Sequence, residues 1–72
     1  NSEAIMSETF LSEYMDGEKT ARTFVENGCY GAVFFIDGKE VAKETYPGKA
    51  EIWAENAAEN YVMGIKVLNE SN

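Results

Sequence analysis

Two dipeptides, Asn27-Gly28 and Asp37-Gly38, constrain this chain more than any other feature, because each stands between runs of β-branched and aromatic residues. Asn-Gly and Asp-Gly supply the positive φ that both central positions of a type I′ turn require, and that turn carries the twist of a two-residue hairpin. The pattern predicts strands at Lys19–Glu26, Cys29–Ile36 and Lys39–Tyr46, joined as a three-stranded antiparallel meander. Two-residue loops dictate register. Glu26 should face Cys29, Phe24 face Gly31 and Arg22 face Val33. Across the second turn, Ile36 should face Lys39, Phe34 face Val41 and Ala32 face Lys43. Side-chain alternation then assigns Ala21, Val25, Tyr30, Ala32, Phe34, Ile36 and Val41 to a core face, interrupted by Thr23, Lys43 and Thr45. Phe24, Val33, Phe35, Ala42 and Tyr46 fall on the other face, among Arg22, Glu26, Glu40 and Glu44.

The flanks read as helices. Ile5, Met6, Phe10, Leu11, Tyr14 and Met15 group along one helical face, with Ser2 as a cap and Gly17 as a stop, so the spacing predicts a helix over 2–15. Tyr46-Pro47-Gly48 ends the third strand in a tight turn. Ala54, Ala57, Ala58, Tyr61, Val62, Ile65 and Leu68 then recur at the period of an amphipathic helix over 50–67. Gly64 lies inside that range, where it weakens the helix or admits a close neighbour. The expected fold is α+β, a single domain over 1–72 in the order α-β-β-β-α, with the long C-terminal helix packed on one sheet face.

Composition limits what such a domain can do. Thirteen acidic residues against six basic ones give a formal net charge of −7. Polyanions are repelled by that balance, so nucleic acid and anionic membrane are disfavoured partners. The charge serves solubility, or else it meets a basic patch on another protein. Seventy-two residues bury only a thin core, and self-association as a homodimer often supplies the missing burial at this size. The single cysteine, Cys29, can form no internal disulfide, which fits a reducing compartment. No run of about 18 apolar residues exists to span a bilayer, and residues 1–16 lack the basic start and apolar run of a signal peptide, so a cytoplasmic location is expected.

The chemical inventory is poor. The chain has no histidine, which removes the ordinary imidazole base and every Ser-His or Cys-His arrangement. Cys29 would need a neighbouring cation to become reactive. No catalytic, cofactor-binding or metal-ligating set emerges, and the expectation is a protein that is not an enzyme. Glu51, Glu55 and Glu59 share a stripe at i, i+4 spacing, which reads as a solvated acidic face or as a mimic of nucleic-acid phosphates. Phe24, Val33, Phe35 and Tyr46 make the second sheet face more apolar than a solvated face requires. That face is either a surface for a protein partner or second copy, or ordinary core beneath the N-terminal helix. Trp53 is either a core anchor or an exposed hot spot.

The predicted order of helix, three-stranded meander and helix resembles the topology of double-stranded RNA-binding domains. Those domains grip phosphates with lysines at the start of the last helix. Here that stretch reads Lys49-Ala50-Glu51-Ile52-Trp53-Ala54-Glu55, one lysine against two acids. Separately, 30–39 (Tyr-Gly-Ala-Val-Phe-Phe-Ile-Asp-Gly-Lys) and 54–65 (Ala-Glu-Asn-Ala-Ala-Glu-Asn-Tyr-Val-Met-Gly-Ile) resemble short accessory proteins of T4-like tailed phages, cyanophages among them. That resemblance implies a host-cell cytoplasm and a modulator of a host protein, and it assigns no residue a role. The functional expectation is therefore a small acidic protein-interaction module. A nucleic-acid mimic and a nucleic-acid-binding domain of double-stranded RNA-binding topology are the alternatives.

Overall fold

A computed structural model describes residues 8–66. Four strands, β1 (Glu8–Asp16), β2 (Lys19–Glu26), β3 (Cys29–Ile36) and β4 (Lys39–Tyr46), form one antiparallel sheet in sequential order. One helix, α1 (Glu51–Val62), follows. The expected three-stranded α-β-β-β-α arrangement is thus corrected to β-β-β-β-α. Residues 8–15 of the expected N-terminal helix belong to a strand, and residues 2–7 lie outside the described range. The topology on which the likeness to double-stranded RNA-binding domains rested is absent.

The physical reason is a bulge. β1 pairs with β2 through Phe10↔Phe24 and Ser12↔Thr23, so Leu11 is an extra residue and the side-chain alternation changes phase there. Phe10, Leu11, Tyr14 and Met15 therefore take a spacing that mimics a helix. Gly17, at φ 65, is the first residue of a two-residue β1–β2 turn, the position that a type II′ hairpin gives to glycine.

The β2–β3 register is as expected: Glu26↔Cys29, Phe24↔Gly31 and Arg22↔Val33. Asn27 and Asp37, both at φ 52, occupy their turns with Gly28 and Gly38 as type I′ chemistry requires. The β3–β4 pairing begins at Ile36↔Lys39 and then slips, so Phe34 faces Ala42 and Ala32 faces Glu44. Val41 is the extra residue and stands exposed. Beyond it every β4 side chain changes face relative to the expectation: Ala42, Glu44 and Tyr46 lie on the helix side, Lys43 and Thr45 on the open side.

α1 lies chiefly across β2 and β3, touches β1 and barely reaches β4. Its Ala54, Ala58, Tyr61 and Val62 are buried, the last three in one cluster with Ala21, Ala32 and Phe34 of the sheet. The Phe34 and Tyr61 rings meet at 4.8 Å and 53°, the tilted geometry favoured by aromatic quadrupoles. The helix is shorter than the 50–67 range expected. Gly64 adopts φ 85, its N–H bonds the Tyr61 carbonyl and the Ile65 N–H bonds the Asn60 carbonyl. These paired bonds are a Schellman stop, for which glycine is the preferred residue. Ile65 consequently leaves the helical stripe and is exposed, while Leu68 lies outside the described residues.

On the open face, Phe24 is fully buried although no helix among the described residues covers it. Its ring crosses the position that a side chain on Gly31 would take, and Lys43 Nζ lies 5.0 Å above it, paired to Glu8 at 3.2 Å. A Cβ at Gly31 would stand 2.5 Å from both the Glu44 carbonyl oxygen and Phe24 Cζ. Gly31→Ala is therefore expected to destabilise the fold by about 1–3 kcal/mol in urea unfolding. An unchanged midpoint would mean that the Phe24 ring does not occupy this site.

Candidate functional site: an apolar groove between α1 and β4

Ala54, Ala58, Tyr61 and Val62 are the buried side of α1, while other large apolar side chains point away from the sheet. Ile52 (56%) and Trp53 (52%) of the helix, with Met63 (56%) and Ile65 (66%) just beyond it, are all more than half exposed. Because α1 stops short of β4, a groove of about 420 Å³ opens beside that edge, lined by Tyr46 and Ala57 together with Ile52, Trp53, Asn60 and Ile65. The turn Tyr46-Pro47-Gly48-Lys49 brings the chain from β4 into the helix, closed by a 3.1 Å bond from the Lys49 N–H to the Tyr46 carbonyl. Gly48 at φ 76 after Pro47 matches a type II turn. This short connection sets Lys49 Nζ 4.7 Å over the Trp53 ring.

Tyr46 and Lys66 converge on one acid beside the groove. Tyr46 donates to the Glu44 carboxylate at 2.7 Å, and Lys66 reaches the same oxygen at 3.2 Å. Burial, with that bond added, holds the Tyr46 hydroxyl above its ordinary pKa. Asn56 and Asn60 are the remaining polar lining besides Lys66, so among the described residues no acidic side chain lines the groove.

The sequence candidates distribute unevenly. Phe24 and Val33 (5% exposed) are buried on the open face, and Phe35 is half-buried there. Arg22 covers the surface between them: its guanidinium lies 5.6 Å from the Phe10 ring and 5.5 Å from the Phe35 ring, with Glu13 bonded at 3.1 Å. Tyr46 is on the other side of the sheet, in the groove. Ile52 and Ile65 were missed as surface residues because periodicity reveals a helix's apolar positions, not which neighbour covers them. Cys29 is a free, half-buried thiol.

Glu51, Glu55 and Glu59 separate as well. Glu51 and Glu59 are exposed, whereas Glu55 turns toward β1 and β2. Its carboxylate accepts the hydroxyls of Ser12 (3.1 Å), Thr23 (3.1 Å) and Tyr14. The Tyr14 hydroxyl is pushed up to about 12, first by this hydrogen bond and then by burial. The cluster fastens the helix to the sheet. Among the described residues no group of three or more His, Cys, Asp or Glu could hold a metal ion, and no helix is long and apolar enough to cross a membrane.

Two outcomes follow for the clamp. Glu55→Ala should cost about 1–3 kcal/mol, since it strips hydrogen-bond partners from part-buried hydroxyls, while Glu51→Ala should stay within about 0.5 kcal/mol. Equal effects in urea unfolding would contradict the inward placement of Glu55. Because the folded Tyr14 pKa lies above the unfolded value near 10, the stabilisation it brings is complete below pH 10 and lost as pH rises toward 12. Tyr14→Phe should flatten that alkaline loss without abolishing it, Tyr46 being raised too; a pH profile indistinguishable from the native one would refute the coupling. No family model, curated protein or solved structure matches the chain.

Proposed function

We propose that this chain is a small protein-interaction module that meets its partner through the outer surface of α1 and the adjoining groove beside β4. The observation that carries this reading is the apolar surface left outside the core: Ala54, Ala58, Tyr61 and Val62 are buried, yet Ile52 and Trp53 of the helix and Met63 and Ile65 just past it are more than half exposed. Clustered, largely uncharged apolar surface of this kind marks contact sites, and tryptophan is the residue most enriched among binding hot spots. The rest of the molecule argues for binding rather than catalysis. The chain has no histidine, and Tyr14 and Glu55 are bonded to each other. A net charge of −7 opposes polyanionic ligands and favours a protein partner. A phosphate mimic would draw on Glu51, Glu55 and Glu59 together, and the Glu55 carboxylate is held by three hydroxyls.

A photoreactive benzophenone side chain in place of Asn56, on the groove wall, should cross-link to protein in an extract of the producing cells. The same group in place of Phe10, exposed on the open sheet face, should not. Cross-links from position 10 alone, or to nucleic acid from position 56, would contradict the reading.

A further inference from the structure

The groove reading leaves the partner's chemistry open, and the inference here rests on that reading. A chain of net charge −7 repels copies of itself wherever acids line the contact. The β4 edge is unsuited to self-pairing. A two-fold ladder sets each residue opposite one of the same parity in sequence. In any register centred between Lys39 and Glu44, lysine meets lysine or glutamate meets glutamate. β1 has Glu8, Glu13 and Asp16 and no cation.

The outer stripe of α1 differs from both edges. Lys49, Trp53, Asn56, Asn60 and Met63 recur at alternating spacings of four and three, the seam periodicity of paired helices, and none of them is acidic. The stripe is also self-complementary when reversed. If Asn56 of one copy opposes Asn60 of another, Trp53 falls opposite Met63, a thioether against an aromatic ring, and Ile65 approaches Ile52. The two asparagines face each other across the two-fold axis, where paired amides fix register. Lys49 reaches the C-terminal end of the opposing helix, whose last turn contains no basic residue. A parallel pairing would instead set Lys49 against Lys49 and align the helix dipoles unfavourably.

We infer that the occupant of this surface is a second copy of the chain, docked by antiparallel two-fold packing of α1 on α1, with Trp53 set against Met63 of the other copy. The contact is isologous, so one face satisfies both partners. It also covers the apolar area that the thin, alanine-rich core leaves outside.

Light scattering on the full chain, from micromolar to millimolar concentration, should give twice the 8.0 kDa chain mass. Trp53→Glu should halve that mass while keeping the native circular dichroism. Should Trp53→Glu unfold, Asn56→Lys places two like charges at the seam and must give the folded monomer. Phe10→Glu, on the open sheet face, should remain dimeric. A native chain that is monomeric throughout would overturn the inference and leave the cross-linking from position 56 to judge the interaction reading separately. A dimer that survives both seam variants, or one that dissociates with Phe10→Glu, would overturn it too.

Discussion

The structure depends on how two edge-strand bulges are satisfied. An extra residue in a ladder displaces backbone groups that must still find partners, since an unpaired polar group away from water costs about 1–3 kcal/mol. At the β1 bulge, the Ser12 N–H goes to the Thr23 hydroxyl at 3.0 Å, and Thr23, fully buried, passes its own proton to Glu55 of the helix. At the β4 interruption, the Phe35 carbonyl receives the Tyr61 hydroxyl at 3.1 Å, again from the helix. Each irregularity in the sheet is thus answered directly or through one relay by α1. The helix cannot slide along the sheet without leaving one of these groups unpaired.

The consequences spread to both faces. Because the bulges shift the phase of the outer strands, Ser12 and Tyr14 reach the Glu55 clamp from β1, while Ala42 and Tyr46 reach the helix side from β4. The helix is drawn toward β1 and β2 by the clamp and leaves β4 uncovered, which is what opens the groove. On the far side, Gly31 makes room for the Phe24 ring, and Arg22 and Lys43 lie over the aromatic surface with Glu13 and Glu8 as counter-ions. Exposed ion pairs contribute little each, but the aliphatic stems of Arg22 and Lys43 cover part of the sheet on the side away from α1. Cations cover part of that face, where Phe10 and Met15 stay exposed at its β1 side, and the other exposed apolar surface is on and just past the helix.

Much of this was legible in the residues. Asn27-Gly28 and Asp37-Gly38 located two hairpins and the full β2–β3 register, and the stripe Ala54, Ala58, Tyr61 and Val62 identified the buried side of α1. What escaped has a common cause: a single inserted residue changes the meaning of every position after it. Leu11 converted a strand's alternation into helical spacing, and Val41 transferred Tyr46 from one sheet face to the other. Gly64 read as a helix interior because Ile65 and Leu68 continue the periodicity past the stop. Glu55 is indistinguishable from Glu51 and Glu59 by spacing; only the hydroxyls brought by β1 and β2 single it out. The groove was legible only in part, since exposure of Trp53 and Ile52 depends on where α1 rests over the sheet.

The measurement closest to the centre of this account is the set of nuclear Overhauser contacts from the β4 side chains. With the bulge at Val41, the Ala42 methyl group should show cross-peaks to Phe34 and to the helix side chains packed with it, and the Val41 methyl groups should show none to α1. Val41 cross-peaks to Tyr61, with Ala42 instead contacting Val33, would mean an unbulged ladder. That result would return Tyr46 to the open face and remove the floor of the groove.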